Sequence, residues 1–264
     1  MRACGWLLGA SLLLLPQAAQ AAPRRVASLN LCTDELLLLL ADRKQIVSVS
    51  HLGRLPAETA LWRRGRAYRA NDGSLVSVVP LKPDLVVTMG GGGGRDRERI
   101  ARRLGITLRA LSHPQSLGDI EASIAVLAAD LGREAVGREV IRQIQWLRRT
   151  SSTRAQDTIW LGGGGRSVAP TGLAAQWMRL AGLRQRALAG ERATLEQLIV
   201  APPQVLLRSD YRQGQYSAEQ SWLSHPLARR SRTRRTLTTD GRRWTCMGPS
   251  LVGEILRLRR LATR

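Results

Sequence analysis

The sequence predicts an α/β protein of two Rossmann-like lobes, each built on a parallel sheet, joined by a long interdomain helix. Three observations carry this. Apolar strand-like runs alternate with helical spacing between residues 26 and 111, a longer helical tract begins after Ser116, and the strand and helix alternation starts afresh at Thr158. The implied division is residues 22–115 for the first lobe, 116–150 for the connecting helix and 151–264 for the second lobe.

Residues 26–29 read as a short buried strand. The loop 30–33 follows, with Thr33 as the cap of a helix over 34–41 whose first turn holds Asp34 and Glu35, where the helix dipole favours acidic groups. Ile46–Ser50 is the next strand. An arginine-rich stretch with Trp62 and Tyr68 leads to a short helix at 75–79, and Pro83-Asp84 introduces a strand at 85–88. A glycine loop at 90–94, a helix at 96–104 and a strand at Thr107–Leu111 complete the first lobe. Ser116 caps the connecting tract, in which Leu117, Ile120, Ile124, Leu127 and Leu131 keep helical spacing that resumes at Val140, Ile141, Ile144 and Leu147; Gly132 and Gly137 weaken its middle. The second lobe follows as strand 158–161, glycine loop 162–165, helices Leu173–Leu180 and Leu195–Val200, strands 205–208 and 235–238, and a last helix at 250–261.

Residues 1–21 have the build of a secretory signal peptide. Arg2 precedes an apolar stretch at 7–15, well short of the ~20 residues of a membrane span, and Pro16 gives way to small residues ending Ala19-Gln20-Ala21. Cleavage is expected before Ala22. Cys4 lies ahead of the apolar core, where a lipid-attachment cysteine cannot sit, so a soluble periplasmic product is expected. Export leaves Cys32 and Cys246, an even number that permits one disulfide in an oxidising compartment without fixing it.

The chain carries a formal charge of +21, and only Lys44 and Lys82 of its basic residues are not arginine. With phenylalanine absent, this reads as a compositional bias that places arginine on every solvated face. Any functional share of the charge would attract anionic ligands, acidic lipid or nucleic acid. Nucleic acid is not expected, because the arginines run from Arg24 to Arg264 with no zinc knuckle, aromatic RNA-binding signature or basic tail.

Neither glycine loop has the spacing of a nucleotide fingerprint: the third glycine of a dinucleotide motif counted from Gly90 falls on Arg95, and no Gly-Lys-Ser/Thr follows. Both loops nevertheless sit at the carboxyl ends of strands, where open α/β sheets take ligands, and Arg95 and Arg166 follow them. His51, His113 and His225 stand apart without metal spacing, and there is no nucleophile elbow. No catalytic residues, resident metal or cofactor are expected.

Residues 26–36 (VASLNLCTDEL), 81–87 (LKPDLVV), Leu104-Gly105-Ile106, Ser116-Leu117 with Asp119-Ile120, and Ala181-Gly182 together resemble the periplasmic substrate-binding proteins of ABC importers for cobalamin and ferric siderophores, the class III binding-protein fold. The resemblance runs over nearly the whole exported chain. It implies a monomeric, non-enzymatic receptor with a shallow cleft between its lobes, carrying a cobalamin-like corrinoid or a ferric siderophore to a permease dimer. Haem is not separated from these ligands by any residue.

In such a fold the loops after the strands line the cleft. They offer Asn30, Cys32, His51, Tyr68 and Arg95 from the first lobe, and Arg166, Tyr211, Arg242 and Trp244 from the second. Tyr68, Tyr211 and Trp244 would stack on a planar ligand and the arginines would meet its oxygens. Cys32 and Cys246 fall on facing loops, where a disulfide, a shared metal and two unrelated small buried residues all remain open. The resemblance also implies an acidic docking residue on each lobe. Glu196, after Thr194-Leu195, fits; the first lobe has Val76 at that position, which leaves nearby Asp72 or an asymmetric contact. The competing function is a basic exported adaptor binding a polyanion or membrane surface.

Overall fold

The computed structural model describes residues 22, 24–90, 94–152, 154–210, 225–226 and 235–262, without the side chains of Gly94 and Arg95. The expected signal peptide at residues 1–21, Tyr211 and part of the first glycine loop lie outside them.

Val26–Ser28 (β1), Ile46–Ser50 (β2), Arg69–Asn71 (β3), Leu85–Met89 (β4) and Thr107–Leu111 (β5) form a parallel sheet in the order β3-β2-β1-β4-β5. Every residue of β4 is buried, as an unbroken apolar run in a two-sided parallel sheet requires. Gln156–Leu161 (β6), Leu183–Gln185 (β7), Val205–Asp210 (β8) and Arg235–Asp240 (β9) make the second parallel sheet, ordered β7-β6-β8-β9.

In the first lobe the helices are Leu31–Leu40 (α1), Trp62–Gly65 (α2), Leu75–Val78 (α3) and Gly94–Arg103 (α4). Helix α1 starts three residues earlier than expected. Asn30, not Thr33, is its cap, its side chain accepting from the Thr33 amide, while the Thr33 hydroxyl turns inward to Ser28. The second lobe carries Leu173–Leu180 (α7), Leu195–Val200 (α8) and Val252–Ala262 (α9).

The single connecting helix is a correction: residues 116–150 form two helices, Leu117–Asp130 (α5) and Glu134–Arg149 (α6). Ser116 and Asp119 close a capping box on α5, and the chain turns at Gly132 with φ +64°. The two then pack on each other. A Cβ at Gly137 would lie 2.5 Å from that of Ala128, so the second glycine permits close helix approach rather than weakening a helix.

One hydrophobic cluster runs through both lobes, from Val26, Leu37 and Leu85 through Ile124 and Ile144 to Trp177, Val205 and Ile255. Helix α9 closes it: Arg259 donates to the Leu147 and Leu180 carbonyls, and Gln156 to that of Ala262. Among the described residues, no helix is long and apolar enough to cross a membrane.

Candidate ligand cleft

The carboxyl edges of the two sheets face one another, tied by contacts between the segments that follow the strands, among them a disulfide, a carboxylate bridge and an arginine contact. Cys32, in the first turn of α1, is disulfide-bonded to Cys246 beyond β9, with Cα atoms 5.1 Å apart. Glu35, one helical turn further on, accepts from the Thr59 hydroxyl at 2.6 Å and from the Ser250 hydroxyl of the second lobe at 2.8 Å. Arg242, after β9, chelates Asp240 and donates to the Pro56 carbonyl of the first lobe.

Asp34 and Glu35 are the residues that sequence reasoning misread. The helix dipole suits them, but they are buried, at 0% and 3% exposure. The sign was available: Leu36 to Leu40 are apolar all round, so α1 has no water-facing side on which to carry charge. Asp34 accepts from the amide and hydroxyl of Ser50 and pins the end of β2. Above it, the 3-10 turn Leu52–Arg54 approaches so closely that a Cβ on Gly53 would meet Asp34 Oδ2 at 2.4 Å, and Gly65 of α2 lies as tightly on the Gly53 carbonyl.

Burial raises the Asp34 carboxyl from 3.8 to about 6, against hydrogen bonds from Ser28 and Ser50 that lower it. Burial also raises Glu35, opposed by its bonds to Thr59 and Ser250 and by the Arg243 charge. A raised carboxyl pKa means that folding favours the protonated form. The Asp34 contribution is therefore full below about pH 4 and is lost as pH rises to about 6, by roughly 3 kcal/mol. Asp34→Asn, whose amide can donate to the Ser50 hydroxyl, should accordingly gain about 1 to 3 kcal/mol on the wild type between pH 4.5 and pH 7. Urea midpoints at the two pH values check this; parallel shifts of both proteins would contradict it.

The other candidate residues divide. Asn30 ties the start of α1 to the end of β4, its amide donating to the Met89 carbonyl at 3.1 Å. His51 is exposed at the start of the 3-10 turn, and Tyr68 is half-buried against the core. Arg166 is exposed beyond the second glycine loop. Trp244 departs from expectation: it is 2% exposed, packs on Trp160 with ring centroids 4.9 Å apart and donates to the Thr239 hydroxyl at 2.8 Å, so its ring is core and offers a ligand no face. The side chains of Arg95 and Tyr211 lie outside the described residues. On the outer surface, Glu196 is exposed in the first turn of α8 behind a Thr194–Gln197 capping box. Asp72 is exposed with its carboxyl lowered to about 2 by hydrogen bonds from Ser74.

Two parallel α/β sheets with their carboxyl edges opposed across a linking helical pair are the class III periplasmic binding-protein fold, and this chain has it. Neither a protein-family model nor a curated protein sequence matches the chain. Among solved structures it is similar to the periplasmic haem-binding protein BhuT in complex with two haems, at 19% identity and TM-score 0.66 over 89% of this chain and 96% of that one. It is similar also to the periplasmic vitamin B12-binding protein BtuF of Vibrio cholerae, at 17% identity and TM-score 0.60 over 92% and 99% of the two chains. A third is the siderophore-binding protein BauB bound to two acinetobactin molecules and ferric iron, at 14% identity and TM-score 0.67 over 91% and 93%. At these identities the likeness is one of fold.

Proposed function

We propose that this protein is the periplasmic solute-binding protein of an ABC importer, without catalytic activity, taking a haem-, corrinoid- or ferric siderophore-type ligand in the cleft between residues 22–115 and 151–264. The observation that carries the reading is the opposition of the two carboxyl edges, held by Cys32–Cys246, Glu35–Ser250 and Arg242–Pro56. Open parallel sheets take ligands at that edge, and two edges brought together make a wall on each side of one ligand. With a disulfide between the walls, capture proceeds with little change of aperture. His51, Tyr68 and Arg166 line the opening, and Asn30 supports its floor. Titration with hemin, cyanocobalamin and a ferric siderophore, followed by tryptophan quenching and calorimetry, tests this. Saturable one-to-one binding of at least one is expected; no binding of any would overturn the reading.

Delivery requires a permease contact, and Glu196 supplies its second-lobe half. The corresponding position on α3 is Val76, 75% exposed, so the first-lobe half is either Asp72 or an apolar contact. Glu196→Arg is expected to leave ligand affinity unchanged and abolish ligand-stimulated ATP hydrolysis by the reconstituted importer. Normal stimulation would remove Glu196 from the contact.

A further inference from the structure

Opposite the cleft, at the end where the strands of the second sheet begin, three segments meet: residues 146–156 at the close of α6 and the entry to β6, 177–186 across the end of α7 and β7, and 255–262 in α9. Arg259 fastens them. It donates to the Leu147 and Leu180 carbonyls and to the Thr150 hydroxyl, and its guanidinium carbon stands 5.6 Å from the centre of the Trp146 ring. Gln156 completes the joint, its main-chain N–H donating to the Gly182 carbonyl at 2.8 Å and its side chain to that of Ala262 at 2.7 Å.

The three segments hold nine arginines and no aspartate or glutamate, although the chain as a whole has 20 acidic residues to 41 basic ones. Acidic partners reach in from outside for three of them: Glu121 pairs with Arg148, Asp157 with Arg186 and Glu254 with Arg257. Arg149, Arg154, Arg179, Arg184 and Arg260 are exposed around the joint. A compositional surplus of arginine accounts for positive charge everywhere, but not for three converging segments without carboxylates. Among these arginines Trp146 is 46% exposed, with Arg259 against its ring. An indole is poorly hydrated over most of its surface and sits best at the headgroup level of a bilayer, where the ring meets acyl chain and the N–H meets water or phosphate.

We propose that this face docks reversibly on a bilayer carrying anionic lipid, with the exposed arginines on lipid phosphates and the Trp146 ring at headgroup depth. The cleft, at the far end of the same strands, then points away from the bilayer and stays open to solvent while the protein is attached. The docking face shares no residue with the cleft, so the contact does not depend on which ligand the cleft takes. An acidic polysaccharide or polyphosphate would meet the arginines equally well but offers the indole no apolar layer.

The experiment is co-sedimentation of the chain starting at Ala22 with vesicles of phosphatidylcholine alone or mixed in equal parts with phosphatidylglycerol. Binding is expected to the mixed vesicles and not to the neutral ones, and to weaken as salt rises. Arg149→Gln combined with Arg179→Gln should lower the partition coefficient about tenfold, the scale of two basic residues at an anionic surface. Trp146→Ala should lower it several-fold. Arg63→Gln combined with Arg66→Gln removes the same charge from the first lobe and should leave it within about twofold of the wild type. Equal losses from the two arginine pairs would overturn the proposal by showing that the whole charge, not this face, is what binds. Binding to heparin but not to the mixed vesicles, or vesicle binding indifferent to Trp146→Ala, would also overturn it and assign the face to a linear polyanion. If Trp146→Ala fails to fold, brominated phosphatidylcholine in the mixed vesicles reads the same contact in the wild type. Quenching of tryptophan emission is then expected, and bound protein with unquenched emission would overturn the proposal.

Discussion

Replacing Cys246 by serine is expected to lower the stability of the oxidised protein by about 3 to 5 kcal/mol. The crosslink joins positions 214 residues apart, so in the unfolded chain it closes nearly the whole sequence into a loop. Chain entropy puts that constraint at about 5 kcal/mol, and residual structure in the unfolded chain brings the expected figure down. The measurement is urea unfolding of the oxidised protein, the reduced protein and the serine variant at one pH. The last two should coincide. For the chain starting at Ala22, a thiol assay on unfolded, unreduced protein should find none. A loss below about 1 kcal/mol would mean that the bond adds nothing to what the shared core already holds.

Trp244→Ala is expected to cost about 3 to 5 kcal/mol, the range for emptying a buried aromatic site. Three losses combine. The contact with Trp160 goes, a large cavity opens beneath β9, and the Thr239 hydroxyl loses its donor while still donating to Glu254, itself gripped by Arg257. Trp244→Phe keeps most of the volume and forfeits chiefly the hydrogen bond, at about 1 kcal/mol. Denaturant midpoints at unchanged m-value give the stabilities. Ligand affinity of the folded Phe variant should match the wild type, and a hundredfold loss there would return the indole to the cleft.

The architecture was legible because its signals are periodic and local. The run Leu85 to Thr88, short and rich in β-branched residues after Pro83-Asp84, suits a two-sided strand, Ser116 announces a helix, and the repeated alternation implies two parallel sheets. What escaped depended on contact. Strands β3 and β7 are three residues long and carry arginines, too short and polar for a pattern to register. Gly132 reads equally well as a weak spot in one helix or a turn between two, and only the packing of Gly137 on Ala128 decides. The site was half readable. Strand order identified which loops gather, but not which side chains turn inward: Trp244 looked like a stacking surface and is core, while Asp34 and Glu35 looked like partners of the helix dipole and are buried. The Cys32–Cys246 pairing belongs to the same class, since it depends on two loops meeting from opposite ends of the chain.

The hydrophobic cluster that passes from β1 through α5 and α6 to β8 and α9 makes the two lobes inseparable as modules. Cutting the chain near residue 150 is not expected to yield two independently folded halves, because each piece would expose the surface that the other now covers. Melting is thus a single event shared by both sheets, and a bound ligand protects distant strands as much as the loops it touches. A lineage that reshapes this cleft is free to vary the loops one at a time, but it inherits the two sheets as one indivisible unit.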